Sequence, residues 1–385
     1  MLELRIDDGF IVTMTRKLIR INSENPPGRE GEIASFVAER LSEIGLKAWV
    51  DRFGDGRANA IGIFKWGDGG KLLLLTHLDT VPAGEGWSIS PFGGVVRDGK
   101  IYGRGAADAK GAIASMLGAL KAVMDSGIQL KGEVIFAAVA DEEVSSEGVK
   151  RLIAKKISAD YAVVGEPTDL QVCIAHKGRL VILASFHGKP AHASAPHFGI
   201  NTIYAASEFA LQIEKLSRRL IKEHSLLGTP TIAPTIISGG SKDNVIPDKV
   251  EVIIDRRTLP GEKLEAVVSD LRKEAEKVAE TRKTRAEIKI KRWIPPAETE
   301  SDSRIVSAAL EAVSEALGMK TEPRGFNATC DMSFLVNEAK IPSIILGPGS
   351  LTQAHAVDEW VSIKELVLAA KIYSAIMLNI LKARG

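Results

Sequence analysis

Two histidines and five carboxylates, spread between positions 77 and 355, are the residues of this chain that could do chemistry together. The first group follows an apolar run, Leu72-Leu73-Leu74-Leu75, which ends in Thr76-His77-Leu78-Asp79-Thr80. A second comes in the glycine-rich turn Gly103-Arg104-Gly105-Ala106-Ala107-Asp108-Ala109-Lys110. A buried strand that delivers a His and an Asp at its C-terminal end is a place to hold a metal, and Asp108 could bind the same ion. Asp141-Glu142-Glu143, Gly165-Glu166 and Ala354-His355 supply the other candidates.

These residues need elements to position them. Residues 30–44 read as a helix, with Ile33, Phe36, Val37, Leu41 and Ile44 on one face and Gly45 beyond its end. Strands are expected at 46–51, 58–65, 71–76, 133–140 and 161–164, with helices from Asp108 to about Met124 and over 147–156. Alternating apolar strands and helices imply a largely parallel sheet covered on both faces. From about residue 178 the order becomes β-α-β-β-α-β, the ferredoxin-like order of a small separate domain. The first pattern resumes after Pro295-Pro296 with a helix over 302–317, a strand over 343–346, Gly347-Pro348-Gly349, His355 and a helix over 361–382. The expected domains are therefore 1–177 and 294–385, two segments of one catalytic domain, with 178–293 inserted between them. Each candidate ligand except Asp108 lies just past a strand, where ligands bind in open α/β sheets.

Composition narrows the class. Fifty basic and 49 acidic residues leave a net charge of +1, which points to neither nucleic acid nor membrane as partner. No apolar run is long enough to span a bilayer, and the charged opening Met1–Asp8 does not read as a signal peptide. Two distant cysteines, Cys173 and Cys330, favour a reducing, cytoplasmic setting over a disulfide framework. Scarce Asn and Gln beside abundant Lys and Glu lean towards a heat-adapted source.

Histidines and carboxylates without cysteine suit Zn, Co or Mn. Two such ions about 3.5–4 Å apart can share a water, lower its pKa and polarise a carbonyl. Asp108 taken alone reads equally well as a helix N-cap.

The segments His77-Leu78-Asp79-Thr80-Val81-Pro82, Gly103–Gly111, Asp141-Glu142-Glu143, Gly165-Glu166-Pro167-Thr168 and Ala354-His355 together resemble the co-catalytic zinc hydrolases. That family includes acetylornithine deacetylase, succinyl-diaminopimelate desuccinylase and a bacterial glutamate carboxypeptidase. The resemblance implies a zinc-exopeptidase-like α/β fold, a mostly parallel sheet flanked by helices, with an inserted ferredoxin-like α+β lid and dimerisation domain. It implies two Zn(II) per subunit, with Co(II) or Mn(II) as substitutes. His77 and Glu166 would hold one ion, Glu143 and His355 the other, and Asp108 both, through a cis peptide to Ala109. Asp79 would orient His77 from behind and Glu142 would be the general base. The expected activity is hydrolysis of N-acyl amino acids or small peptides, by a homodimer joined through the lid. A metallo-carboxypeptidase or dipeptidase is the nearest alternative.

The inserted domain adds further candidates. His187, His192 and His197 recur every five residues, but strand alternation puts i and i+5 on opposite faces, so a third metal site is not expected. The resemblance singles out His192 as a donor to the tetrahedral oxyanion. Asn244 aligns with a substrate-contacting Asn and Arg257 with an Arg that grips a carboxylate, although Arg256 beside it competes for that role. Gly347 and Gly349 could offer main-chain N–H groups to the same carboxylate. A non-catalytic binding protein would be expected to lack Glu142 or a ligand, and none is missing. A nucleotide enzyme is disfavoured because Asp108 stands where a dinucleotide loop needs its third Gly.

Overall fold

The computed structural model describes residues 4–381, so Met1–Glu3 of the opening stretch and the expected helix end at 382 lie outside the described residues. The chain divides into two compact units. One comprises the chain to Ile174, Thr299–Phe326 and the chain from Cys330; the other comprises Ala175–Glu298 with Asn327–Thr329. The second unit thus starts three residues before the expected 178 and ends five after 293.

The first unit is built on a sheet with four parallel strands at its centre. In spatial order these are Glu133–Val139, Lys71–His77, Tyr161–Val164 and Ser343–Ile345. Leu72 to Leu75 are buried on both faces, as an apolar run in a covered parallel sheet requires. The flanks are antiparallel. Arg57–Lys65 runs against Glu133–Val139, Lys47–Phe53 pairs back onto it, and Cys173–His176 runs against Ser343–Ile345. The sheet is therefore mixed. A three-residue turn with Gly54 and Gly56 at positive φ joins Lys47–Phe53 to Arg57–Lys65, and so short a connection permits only an antiparallel pair.

Helix Gly111–Asp125 is almost wholly buried and packs on Ile363–Leu381, with the Ser115 hydroxyl donating to the Leu366 carbonyl at 2.9 Å. The expected helix start at Asp108 is corrected here. Residues 106–110 form an irregular turn, Asp108 has extended φ/ψ of −125° and 93°, and the regular helix begins at Gly111. Asp108 is not the N-cap, and the Asp108–Ala109 peptide is cis.

The second unit contains Gly178–His187, Thr202–Ser217, Thr231–Gly239, Lys249–Thr258, Leu264–Arg282 and Arg285–Ile294 in chain order. Its antiparallel sheet runs Thr231–Gly239, Lys249–Thr258, Gly178–His187, Arg285–Ile294. Burial alternates along the two central strands, and their inner residues pack on the helices, Phe186 meeting Phe209 at a ring separation of 5.3 Å. This is the ferredoxin-like arrangement.

Candidate metal centre

His77 is the last residue of its strand and is buried. Its Nδ1 lies 2.9 Å from the main-chain oxygen of Asp79, an acceptor, so Nδ1 carries the proton and donates it there. Nε2 is thereby left to face 2.9 Å to Asp108 Oδ1 and 3.9 Å to Glu166 Oε2. His355 arrives from a loop at a φ of 63°. Its Nε2 lies 3.0 Å from Glu143 Oε1 and 3.3 Å from Asp108 Oδ2. Asp108 thus turns one oxygen to each histidine. Ligand atoms of His77, Asp108 and Glu143 all lie within 4.8 Å of one another.

The electrostatics mark this cluster as a place for cations. Burial pushes Glu142 and Glu166 well above the usual carboxylate range, and the charge of Glu166 adds to the effect on Glu142. Burial raises Glu143 as well. For Asp108, burial acts upward, but contacts with His355 and His77 hold it below its ordinary value. Hydrogen bonds to Asp108 and Glu143 raise His355 to about 10 against an opposing effect of burial. Burial opposes the charging of His77 too, yet contacts with Asp108 and Asp79 lift its pKa well above the ordinary value. Four carboxylates converging out of water on two imidazole nitrogens are poorly compensated without added positive charge. Nitrogen and oxygen donors without thiolate fit divalent zinc, cobalt or manganese.

Glu142 and Glu143 follow strand Glu133–Val139 through Asp141, which has a φ of 70°. Behind them stands a polar network that the sequence reading passed over. The Asn25 amide donates to Asp79 Oδ2 and to Asp141 Oδ1, each at 2.9 Å. Arg57 donates to Asn25 Oδ1 at 3.0 Å and pairs with Asp141. Asn25-Pro26-Pro27-Gly28 reads as a break between two helical segments, and nothing in its composition announces a buried amide. Asp331 was passed over too; it is buried, its charge acts on Glu142 and Glu166, and burial pushes its own carboxyl up to about 7.

The N–H groups of Gly347 and Gly349 correct the sequence expectation. Gly347 N–H donates to Thr168 Oγ1 at 3.1 Å and Gly349 N–H to Glu365 Oε2 at 2.8 Å, so neither is offered to a substrate carboxylate. Their lack of a side chain serves packing. A Cβ on Gly347 would stand 2.5 Å from the Glu166 carbonyl oxygen, and one on Gly349, at a φ of 87°, 3.0 Å from Ala107.

In the second unit, Ala191–His192 pairs with Val245–Ile246, and Ala193 N–H donates to the Asn244 carbonyl at 2.9 Å, so His192 and Asn244 are neighbours. The main-chain N–H of Ser194 donates to His192 Nδ1 at 3.2 Å. That fixes the proton of the neutral ring on Nε2, which makes exposed His192 a donor. His187 lies 3.9 Å from Glu287 and the ring of His197 packs at a tilt against Phe198, so these flanking histidines have neighbours of their own. Arg256 is buried in an ion pair with Glu262 at 2.6 Å, whereas Arg257 is partly exposed and held by Asp255 at 2.7 Å.

Fold and site together define a metal-dependent hydrolase of the α/β class. The profile of Peptidase family M20/M25/M40 matches residues 73–379, and the chain belongs to that family. It is 31% identical over 369 residues to the acetylornithine deacetylase of Aliivibrio salmonicida (strain LFI1238), covering 93% of this chain and 94% of that one. The aminopeptidase PepT of Bacillus cereus ATCC 10987 has a similar structure, with a TM-score of 0.83, 23% identity and coverage of 98% and 100%. The YXEP protein of Bacillus subtilis, named a dinuclear metal binding peptidase of the M20 family, follows with a TM-score of 0.76, 20% identity and coverage of 97% and 99%. The chain is a metal-dependent amidohydrolase or exopeptidase.

Proposed function

We propose that this enzyme hydrolyses the amide bond of N-acyl amino acids, as its acetylornithine deacetylase relatives are named for doing, with two zinc ions in each chain. The observation that carries the reading is Asp108, whose carboxylate faces both His77 and His355. His77 and Glu166 would hold one ion and Glu143 and His355 the other, with Asp108 available to both. When bound, such a pair supplies Lewis-acid polarisation of the carbonyl and lowers the pKa of a water.

The chain's own residues move the proton. Glu142 takes it from the attacking water and hands it to the leaving amine. Its burial supports this, because a carboxyl pushed above its ordinary value holds a proton more readily and so is better placed to accept one and pass it on. His192 donates its Nε2–H to the developing oxyanion. Asn244 binds the substrate amide region and Arg257 its carboxylate. The exposure of Arg257, against the burial of Arg256, favours Arg257 for that task.

The enzyme acts as a homodimer joined through the second unit. Among the described residues, strand Thr231–Gly239 pairs on one side only and carries Ile236 and Ile237, both 54% exposed, an edge suited to pairing with a second copy. No helix among the described residues is long and apolar enough to cross a membrane, and both cysteines are free and buried, which supports a cytoplasmic setting.

A hydrolysis screen of acetyl-, succinyl- and aminoacyl-amino acids with added Zn or Co tests the substrate class. Preference for acyl-amino acids is expected. Preference for aminoacyl substrates would make the enzyme a dipeptidase, and failure to cleave any of them would overturn the proposal.

A further inference from the structure

Glu359 is fully buried and has no part in the chemistry assigned above. Its Oε1 accepts the main-chain N–H groups of Ala107 at 2.8 Å and Asp108 at 3.1 Å. Its Oε2 accepts Gly105 N–H at 3.1 Å and pairs with Arg104 Nη1 at 2.6 Å. Arg104 is buried as well. Its Nη2 donates to the His355 carbonyl at 3.3 Å and its Nη1 to that of Ala356 at 3.2 Å. A third contact, Nη2 to the Ala83 carbonyl at 3.2 Å, anchors it beside the Trp87 ring.

The two side chains therefore connect two loops that lie far apart in sequence. Glu359 gathers the N–H groups of the turn that aims Asp108, and Arg104 grips the main chain of His355 itself. A buried ion pair is weak evidence for stability, since apolar replacements of equal volume commonly do as well. Its contacts here fall on the loops that carry two of the residues assigned to metal. Hydrogen bonds behind a ligand fix its direction and tune affinity. His77 is held independently by its strand and the Asp79 carbonyl, whereas His355 sits in a loop that Arg104 grips.

We propose that Arg104 and Glu359 are positioning residues that set the gap between Asp108 and His355, and so govern affinity at the metal position on the His355 side. This rests on the two-metal reading above. The test is a Co(II) titration of metal-free protein, followed by calorimetry and visible absorption, beside the thermal midpoint of the metal-free state. Wild-type protein should take up two equivalents; one alone would sink the two-metal reading and this proposal with it, whereas two equivalents leave the variants to decide this one. Arg104→Lys keeps the charge facing Glu359 but cannot span the three carbonyls. It should bind the first equivalent as wild type and the second about 10–100-fold more weakly, with an altered spectrum. Glu359→Gln should weaken both, the second more, because Asp108 is shared. Two wild-type affinities in both variants would overturn the proposal. Equal losses at both positions alongside a lowered metal-free midpoint, or failure of both variants to fold, would overturn it too by making the pair structural. If Glu359→Gln alone does not fold, Arg104→Lys decides.

Discussion

The carboxylate of Asp79 accepts the main-chain N–H of Glu142 at 3.1 Å, and its second oxygen accepts that of Glu143 at the same distance. The ring of His77 meets the main-chain oxygen of Asp79 at 2.9 Å, while the nearer carboxylate oxygen is 3.5 Å away. Asp79 therefore orients the histidine through its backbone and the two glutamates through its side chain. Asp79→Asn brings an amide NH₂ into a pocket of donors. Steady-state kinetics should show kcat lowered about 10–100-fold, with Co(II) titration showing weakened metal binding. Wild-type values of both would refute this role.

Chelation should abolish activity, and Zn or Co should restore it. Full turnover in excess chelator, with metal content measured as nil, would remove metal from the mechanism.

Glu142→Ala should keep wild-type metal stoichiometry and lose at least about 100–10,000-fold in kcat, the range for a general acid–base group. A variant that loses metal in parallel with activity would make Glu142 a ligand rather than a base.

His192→Ala should lower kcat by about 100–1,000-fold, the loss typical of removing an oxyanion donor, with little change in KM and none in metal content. An unchanged kcat would exclude the role.

Glu30 offers a pH signature away from the ligands. It is fully buried 3.7 Å from Arg57, and burial, with the charge of Asp79, pushes its carboxyl from 4.5 up to about 7. A carboxyl raised in the folded state favours the unfolded chain once that chain ionises. Its cost is absent below pH 4.5, grows to about pH 7 and is then constant, reaching an upper bound on the order of 3 kcal/mol. Glu30→Gln should therefore improve the thermal midpoint relative to wild type more at pH 8 than at pH 4. A difference that does not vary with pH would contradict this.

Strand ends proved the most readable feature of the chain. Apolar runs followed at once by His77, Glu142, Glu143 and Glu166 can be found by eye, and the fold brings these side chains together with Asp108 and His355. The β-α-β-β-α-β order was also legible, since helix and strand periods differ. What escaped was whatever lacks a period. Val95–Arg97, Lys100–Tyr102 and Trp360–Ser362 are three residues each, too short to alternate visibly, yet they form a sheet of their own. Residue pattern alone does not separate parallel from antiparallel neighbours for a largely buried strand such as Arg57–Lys65, and the half-buried Lys47–Phe53 shows no clean alternation, so the antiparallel flanks escape a reading of the sequence. Asn25 and Glu359 are buried and Arg57 half-buried, and the meaning of all three lies in partners distant in sequence. Gly347 and Gly349 invited a functional reading, where close packing against Glu166 and Ala107 accounts for them.

The order of the site residues along the chain also has a consequence in time. Synthesis runs from the N-terminus. His77, Asp108, Glu143 and Glu166 all exist before residues 175–298 are made, and His355 is made only after them. Until then the nascent protein holds a crowd of acidic groups with one imidazole among them. The second unit has already been translated when the final histidine appears. On the two-metal reading proposed above, complete metal loading would have to wait until His355 has been made.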